Sequence, residues 1–366
     1  MTLVQHDSPS SGLHDEPHRP VRLPMVRRAR RELVAVTVLV IITIGLGTVS
    51  PVLATTAAFT MTFILMGQSW NLISGLAGPL ALGQAAFFGI TDFSVLVLRT
   101  AGVNQYVGIL VGVAASLLLA LIVGLATLRL PGFFFAIASL MVPLIIQAVI
   151  LYFGYFQVER PFNVNDDPGD FYFTDPWSYL LIGGILVIIV AALTAVISGR
   201  KIGRYFVAIR ENQRAAEAAG IPVFRYKIYA FLIASVFASL AGAFYGQLTF
   251  VFDPLDAFDP SVSVQALVVA LVGGAGTVLG PVLGGLIIIP AAQFARTYLY
   301  QLPGLDQISY AVLLLIVALW FPRGAYPTIA LYLRNRRARR ASRPPTGTTS
   351  EPPAAAAPEP EGQDTR

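Results

Sequence analysis

Chemistry in a protein needs side chains that titrate, attack or ligate, and this chain of 366 residues withholds most of them. It has no Cys, which excludes disulfides and thiolate chemistry. Its three His, at His6, His14 and His18, all lie in the polar first 24 residues. A Ser-His-Asp site or a His-ligated metal centre within the apolar part of the chain is thereby excluded. No GxxxxGK[ST] loop occurs, so the chain does not hydrolyse ATP by that route. The sequence yields no catalytic residue, no metal ligand and no cofactor of its own.

Three sets of polar residues remain. The first is the stretch 203–221, GRYFVAIRENQRAAEAAGI, whose Arg204, Arg210, Glu211, Arg214 and Glu217 stand out where only 12% of residues are charged. The second is Asp92, set in the apolar run ITDFSVLVL. A carboxylate at membrane depth is a functional candidate by default. It could equally sit near an interface or in a hydrated crevice, and Arg99 is the nearest cation along the chain. The third is Gln68, Asn71 and Gln84, gathered around the glycine-rich stretch 75–89. Such residues can tie helices together or line a polar path.

These residues are carried by a chain that is 55% hydrophobic, which makes it an integral membrane protein. A helix needs ~20 mostly apolar residues to cross a bilayer. The apolar runs place spans at about 33–53, 56–73, 75–97, 106–128, 133–153, 177–197, 226–248, 265–272, 282–294 and 310–321. The expected fold is an all-α polytopic bundle of about ten transmembrane helices, with glycine-rich broken or re-entrant segments. Residues 1–32 read as a disordered basic tail without the layout of a cleaved signal peptide. Residues 33–329 read as the membrane domain, and 330–366 as a second disordered tail.

The net charge of +5 could suggest nucleic acid, but the basic residues flank apolar spans, so topology is the better account. Arginines at 27, 28, 30 and 31, the cluster 200–214 and the cluster 334–343 place both termini and the loop 200–225 in the cytoplasm. The Asp-rich loops at 155–176 and 253–260 then fall outside.

On a helix at ~100° per residue, Tyr205, Ala208, Ile209, Ala216 and Ala219 share one face of the polar loop, and its charges share the other. Gly220 stops the helix and Pro222 blocks its continuation. Positive charge alone would be ordinary for a cytoplasmic loop. The alanine face and the two Glu point further, to a docking helix for a soluble partner. The residues nominated for a path across the membrane are Asn71, Gly75, Gly78, Gly83, Gln84, Asp92, Gly274, Gly276 and Gly280.

Four motifs in order, GLAGPLALGQAAFFG (75–89), LRLPGFFFAIASL (128–140), the loop 203–221 and LVGGAGTVLGPVLGG (271–285), resemble the membrane permease subunit of branched-chain amino acid ABC importers. The resemblance is to the longer of the two paired permeases and spans roughly 33–325. It implies that the loop is the family's version of the EAA loop, which docks on an ATPase subunit. Ala215, Ala216 and Gly220 match its Ala-Ala-x-x-x-Gly frame. Arg214 stands where an acid leads in the family, with Glu217 in the following turn. The implied coupling set is Gly203, Arg204, Ala208, Arg210, Glu211, Ala215, Ala216, Glu217, Ala219 and Gly220. Many relatives have His at the place of Gln84, which cannot titrate.

The resemblance further implies a second permease subunit, two ATPase subunits that hold the ATP and Mg, an extracytoplasmic substrate-binding protein, and a bacterial inner (plasma) membrane. The cargo would be branched-chain amino acids, with urea or short amides as the alternative. Two other classes compete. An ion-coupled secondary carrier would need ion sites at mid-membrane, and a membrane-embedded enzyme would need clustered His, Glu or Asp near one interface.

Overall fold

The computed structural model describes residues 25–155, 158–159, 176–249, 251–299 and 326. The expected span 310–321, most of the loop 155–176 and most of both tails lie outside these residues.

Helix α1 runs Met25–Gly47. It begins before the expected boundary, so residues 25–32 form the first turns of a helix rather than part of a disordered tail. Helix α2 (Pro51–Trp70) is capped by Ser50, whose Oγ accepts from the Leu53 amide at 3.3 Å, with Pro51 at the first helical position. It continues as a π-helical turn, Asn71–Ala77, and stops at Gly78. Residues 78–83 are non-helical, and α3 (Gln84–Thr100) starts afresh. The glycine-rich start of the expected span 75–97 is a break, as its glycines and Pro79 suggest, followed by a 17-residue helix.

Helices α4 (Gln105–Thr127), α5 (Gly132–Tyr152) and α6 (Pro176–Gly199) follow. The polar loop forms α7 (Lys201–Glu211) and α8 (Gln213–Ala218), and α9 spans Val223–Thr249. Beyond it come α10 (Pro254–Ala257), α11 (Pro260–Gly273) and α12 (Gly280–Leu299). Asp253 and Asp259, expected as acidic loop residues, are helix caps: their Oδ1 atoms accept from the amides of Leu255 at 2.8 Å and Ser261 at 2.6 Å. Capping moves the start of the expected span 265–272 back to Pro260.

Among the described residues, six helices are long and apolar enough to cross a membrane. They are Pro51–Ala77, α4, α5, Trp177–Gly199, α9 and Pro254–Gly273. Two short strands, β1 (Val158–Glu159) and β2 (Val251–Phe252), pair antiparallel, with Val158 opposite Phe252. The loops after α5 and after α9 thus meet at one end of the bundle.

Lipid offers helices no hydrophobic reason to associate, so close backbone approach and hydrogen bonds must do it. Helix α4 shows how. Its buried residues include Gly108, Gly112, Ser116, Ala120 and Gly124, one every fourth position. This ridge lies against α3 and α9. A Cβ on Gly112 would stand 2.8 Å from the Thr91 Cα. The Ser116 hydroxyl donates to the Phe87 carbonyl at 3.1 Å and lies 3.2 Å from the Thr91 hydroxyl. The opposite face of α4 exposes Leu110, Leu118 and Ile122. Gly112→Leu should therefore destabilise the detergent-purified protein by about 1–3 kcal/mol through overpacking, and Leu110→Ala by less than about 0.5 kcal/mol. Thermal melting of the two variants checks both.

Candidate functional site

The polar loop is two helices at an angle. Asn212 takes an extended backbone, φ −157° and ψ 104°. Its amide closes α7 on the Ala208 carbonyl, and its side chain opens α8 by accepting from the Ala215 amide at 3.1 Å. The single helix expected over this stretch is thereby broken by an Asn that prefers to cap.

Helix α8 ends as expected. Gly220 has φ +78°. Its amide donates to the Glu217 carbonyl at 2.9 Å, and the Ile221 amide to the Ala216 carbonyl at 3.0 Å. These two bonds are the Schellman pattern, which satisfies carbonyls that a helix end leaves free.

The inward face of the loop is Gly203, Phe206, Ile209 and Ala216, all buried. Phe206 packs with Leu76, Ala77 and Ala230, and Ala216 with Ile209 and Val223. Ala216 is thus used for the chain's own packing. Arg204, Glu211, Arg214, Ala215, Glu217 and Ala219 remain exposed, while Ala208 is half-buried. The free surface is mostly the charged one. Across it the Lys227 ammonium donates to Gln213 Oε1 at 2.7 Å, and Gln213 Nε2 to Glu217 Oε1 at 3.0 Å.

Arg210 lies on the exposed charged face as expected, with its side chain 35% accessible, but it also reaches inward. Its Nη1 donates to the Gly75 carbonyl at 2.6 Å, and its Nη2 to Glu211 Oε1 at 2.8 Å. Gly78, at φ +104°, lets the α7 backbone approach: a Cβ there would lie 3.1 Å from the Arg210 Cα. Gly276, at φ +80°, leaves room for the guanidinium, since a Cβ there would lie 2.6 Å from Nη1.

The two glycine-rich segments also meet directly. Asn71 Oδ1 accepts from the Gly276 amide at 2.6 Å, and Nδ2 donates to the Thr277 carbonyl at 2.8 Å. Gln68 Nε2 donates to the Val278 carbonyl at 2.8 Å, and the Val278 amide donates to Glu32 Oε2 at 2.9 Å. Tyr326 donates to the other Glu32 oxygen at 3.0 Å. The Thr277 hydroxyl donates to the Gly274 carbonyl and accepts from the Gly280 amide, closing the turn into α12.

The nominated path residues therefore fall into separate places. Gly75, Gly78 and Gly276 converge on Arg210, Asn71 bonds the Gly276 amide, and Gly274 and Gly280 face each other across the turn into α12. Gln84 lies apart, fully buried, its Oε1 3.2 Å from the Ser69 hydroxyl, which donates to the Ala234 carbonyl at 2.7 Å. Gly83 lies at the start of α3, where a Cβ would strike the Ser139 carbonyl of α5. Asp92 is buried, and neither carboxylate oxygen has a hydrogen-bond partner among the described residues. Its Oδ1 abuts Gly246 of α9. Among the described residues no group of three or more His, Asp or Glu could hold a metal ion.

Two participants escaped the sequence reading. Glu32 sits among arginines and read as part of a charged tail. Asn212 carried a usable signal, as a favoured cap residue three places before Ala215. The arrangement fastens the polar helix α7 to two interrupted segments.

A family model described as branched-chain amino acid transport system / permease component matches residues 52–318. The chain is 25% identical over 313 residues to the high-affinity branched-chain amino acid transport system permease protein LivM of Salmonella typhimurium, covering 74% of this chain and 69% of that one. The LivM protein of Escherichia coli is 24% identical over 307 residues, with the same coverage. The LivH permease protein of Salmonella typhimurium is 32% identical over 129 residues, 34% of this chain and 40% of that one.

Asn71→Leu should leave the Gly276 amide and Thr277 carbonyl unpaired at a cost of about 1–3 kcal/mol each. Asn71→Asp keeps the acceptor for the Gly276 amide but sets a buried carboxylate oxygen against the Thr277 carbonyl, so it too should lower the melting temperature at neutral pH.

Proposed function

The chain belongs to the permease components of branched-chain amino acid transport systems, and on that premise we propose that it works as one membrane half of an ATP-driven importer whose energy enters through α7 and α8. The observation that carries this is the seating of α7 on the two glycine breaks, with a charged outer surface left exposed by α8. Motion imposed on that surface by a soluble partner reaches the interrupted segments through packed side chains. The partners are two ATPase subunits, a second permease subunit and an extracytoplasmic binding protein. ATP and Mg belong to the ATPases, and this chain is not an enzyme.

The finer topology has about ten spans in a bacterial plasma membrane, with both termini and the α7–α8 loop cytoplasmic. The β1–β2 pairing supports this assignment, because it holds the loops after α5 and α9 together, as two outer loops require. Branched-chain amino acids are the proposed cargo, delivered by the binding protein, with urea or short amides as the alternative. An ion-coupled carrier would have to use Asp92. A cation site needs several oxygen ligands, and among the described residues neither oxygen of that carboxylate has a hydrogen-bond partner.

The docking surface predicts a contrast between alanines one residue apart. Ala215→Trp with Ala219→Trp, both exposed, should abolish co-purification of the cognate ATPase and leucine uptake while leaving the permease at normal levels in the membrane. Ala216→Trp, placed in the buried contact with Ile209 and Val223, should instead lower the amount of folded permease. An ATPase that still co-purified with the double variant would overturn the docking surface.

A further inference from the structure

We infer that Arg210 is the positioning residue that holds both glycine breaks against α7 and passes the ATPase-driven motion to them together. This rests on the proposed importer function and assigns the step between docking and the membrane segments.

The Gly75 carbonyl lies in the π-helical turn Asn71–Ala77, at the end of the long α2 segment. A helix end presents carbonyls without intrahelical partners and carries partial negative charge. A guanidinium answers both needs, and here it comes from another element 135 residues along the chain. Its second nitrogen is held by Glu211, which fixes the direction of the fork. The same nitrogen that bonds Gly75 stands over Gly276, where a methyl group would displace it. Beneath it, Gly78 admits the Arg210 backbone. Three glycines from the two segments thus converge on one side chain, and Asn71 ties the segments to each other at the Gly276 amide. A solvated topology charge has no need of this room. Lys could supply the charge but cannot bond Gly75 and Glu211 through a planar fork.

The experiment uses the full-length chain reconstituted with its cognate ATPases, second permease and binding protein, comparing native, Arg210→Gln, Arg210→Lys and Gly276→Ala. The first readout needs no ATPase: hydrogen exchange in the detergent-purified permease. Arg210→Gln should speed exchange about tenfold in both 75–78 and 274–277, the scale of one lost charge-assisted hydrogen bond, with the exchange of α4 unchanged. The second is leucine transported per ATP hydrolysed. Measured per assembled complex, Arg210→Gln and Gly276→Ala should lose about tenfold or more in that ratio, and Arg210→Lys should fall between. A purely structural role would lower the amount of assembled complex and leave the ratio intact, and that result would overturn the inference. So would unchanged exchange in either segment. If no ATPase binds even the native chain, the importer function fails, and the exchange result still decides whether Arg210 holds both breaks.

Discussion

Interrupting a helix inside a membrane frees backbone groups that lipid cannot satisfy. Among the described residues, membrane segments are interrupted after Ala77 and after Gly273, and the surrounding structure is arranged to meet the demand. Asn71 serves the amide of Gly276 and the carbonyl of Thr277. Gln68 and Glu32 take the two backbone groups of Val278. Arg210 takes the carbonyl of Gly75. Each break is completed by residues remote in sequence, so the segments cannot move independently of α1, α2 and α7.

Close approach makes those bonds geometrically possible. Glycines at 75, 78 and 276 remove the side chains that would separate the partners. The same device holds the helices together elsewhere, in the α4 ridge and where Gly242 and Gly246 of α9 meet Phe88 and Asp92 of α3. The aromatic pairs Phe87–Phe231 and Phe88–Tyr245 fill the α3–α9 contact beside these close approaches. Close packing of this kind suits a permease, which must alternate between arrangements without exposing unpaired backbone to lipid.

Much of this was legible in the residues. The apolar runs located the helices because a membrane imposes a length. Gly220 read correctly as a helix stop because its left-handed backbone follows from side-chain chemistry, and the glycine-rich stretches read correctly as interruptions. What escaped was long-range pairing. The expected docking face was in part the chain's own packing face, since helical periodicity finds an apolar stripe but cannot say what covers it. Arg210 read as a solvated charge because nothing local to it reveals Gly75. Glu32 was hidden among arginines for the same reason. Asp92 stands out in sequence as a charge in an apolar run; it is buried, and among the described residues neither carboxylate oxygen has a hydrogen-bond partner.

The most direct measurement exploits the absence of Cys from the native sequence. A single Cys is introduced at Ala219, on the exposed rim of α8, and its rate of maleimide labelling is followed in the isolated permease and in the assembled complex with cognate ATPases. Energy entry through α7 and α8 predicts rapid labelling of the isolated chain and strong protection in the complex, with a Cys at exposed Ala101, in the turn between α3 and α4, labelled equally in both. Equal labelling of Ala219→Cys in the two states, with the ATPases shown to be bound, would contradict energy entry through α7 and α8.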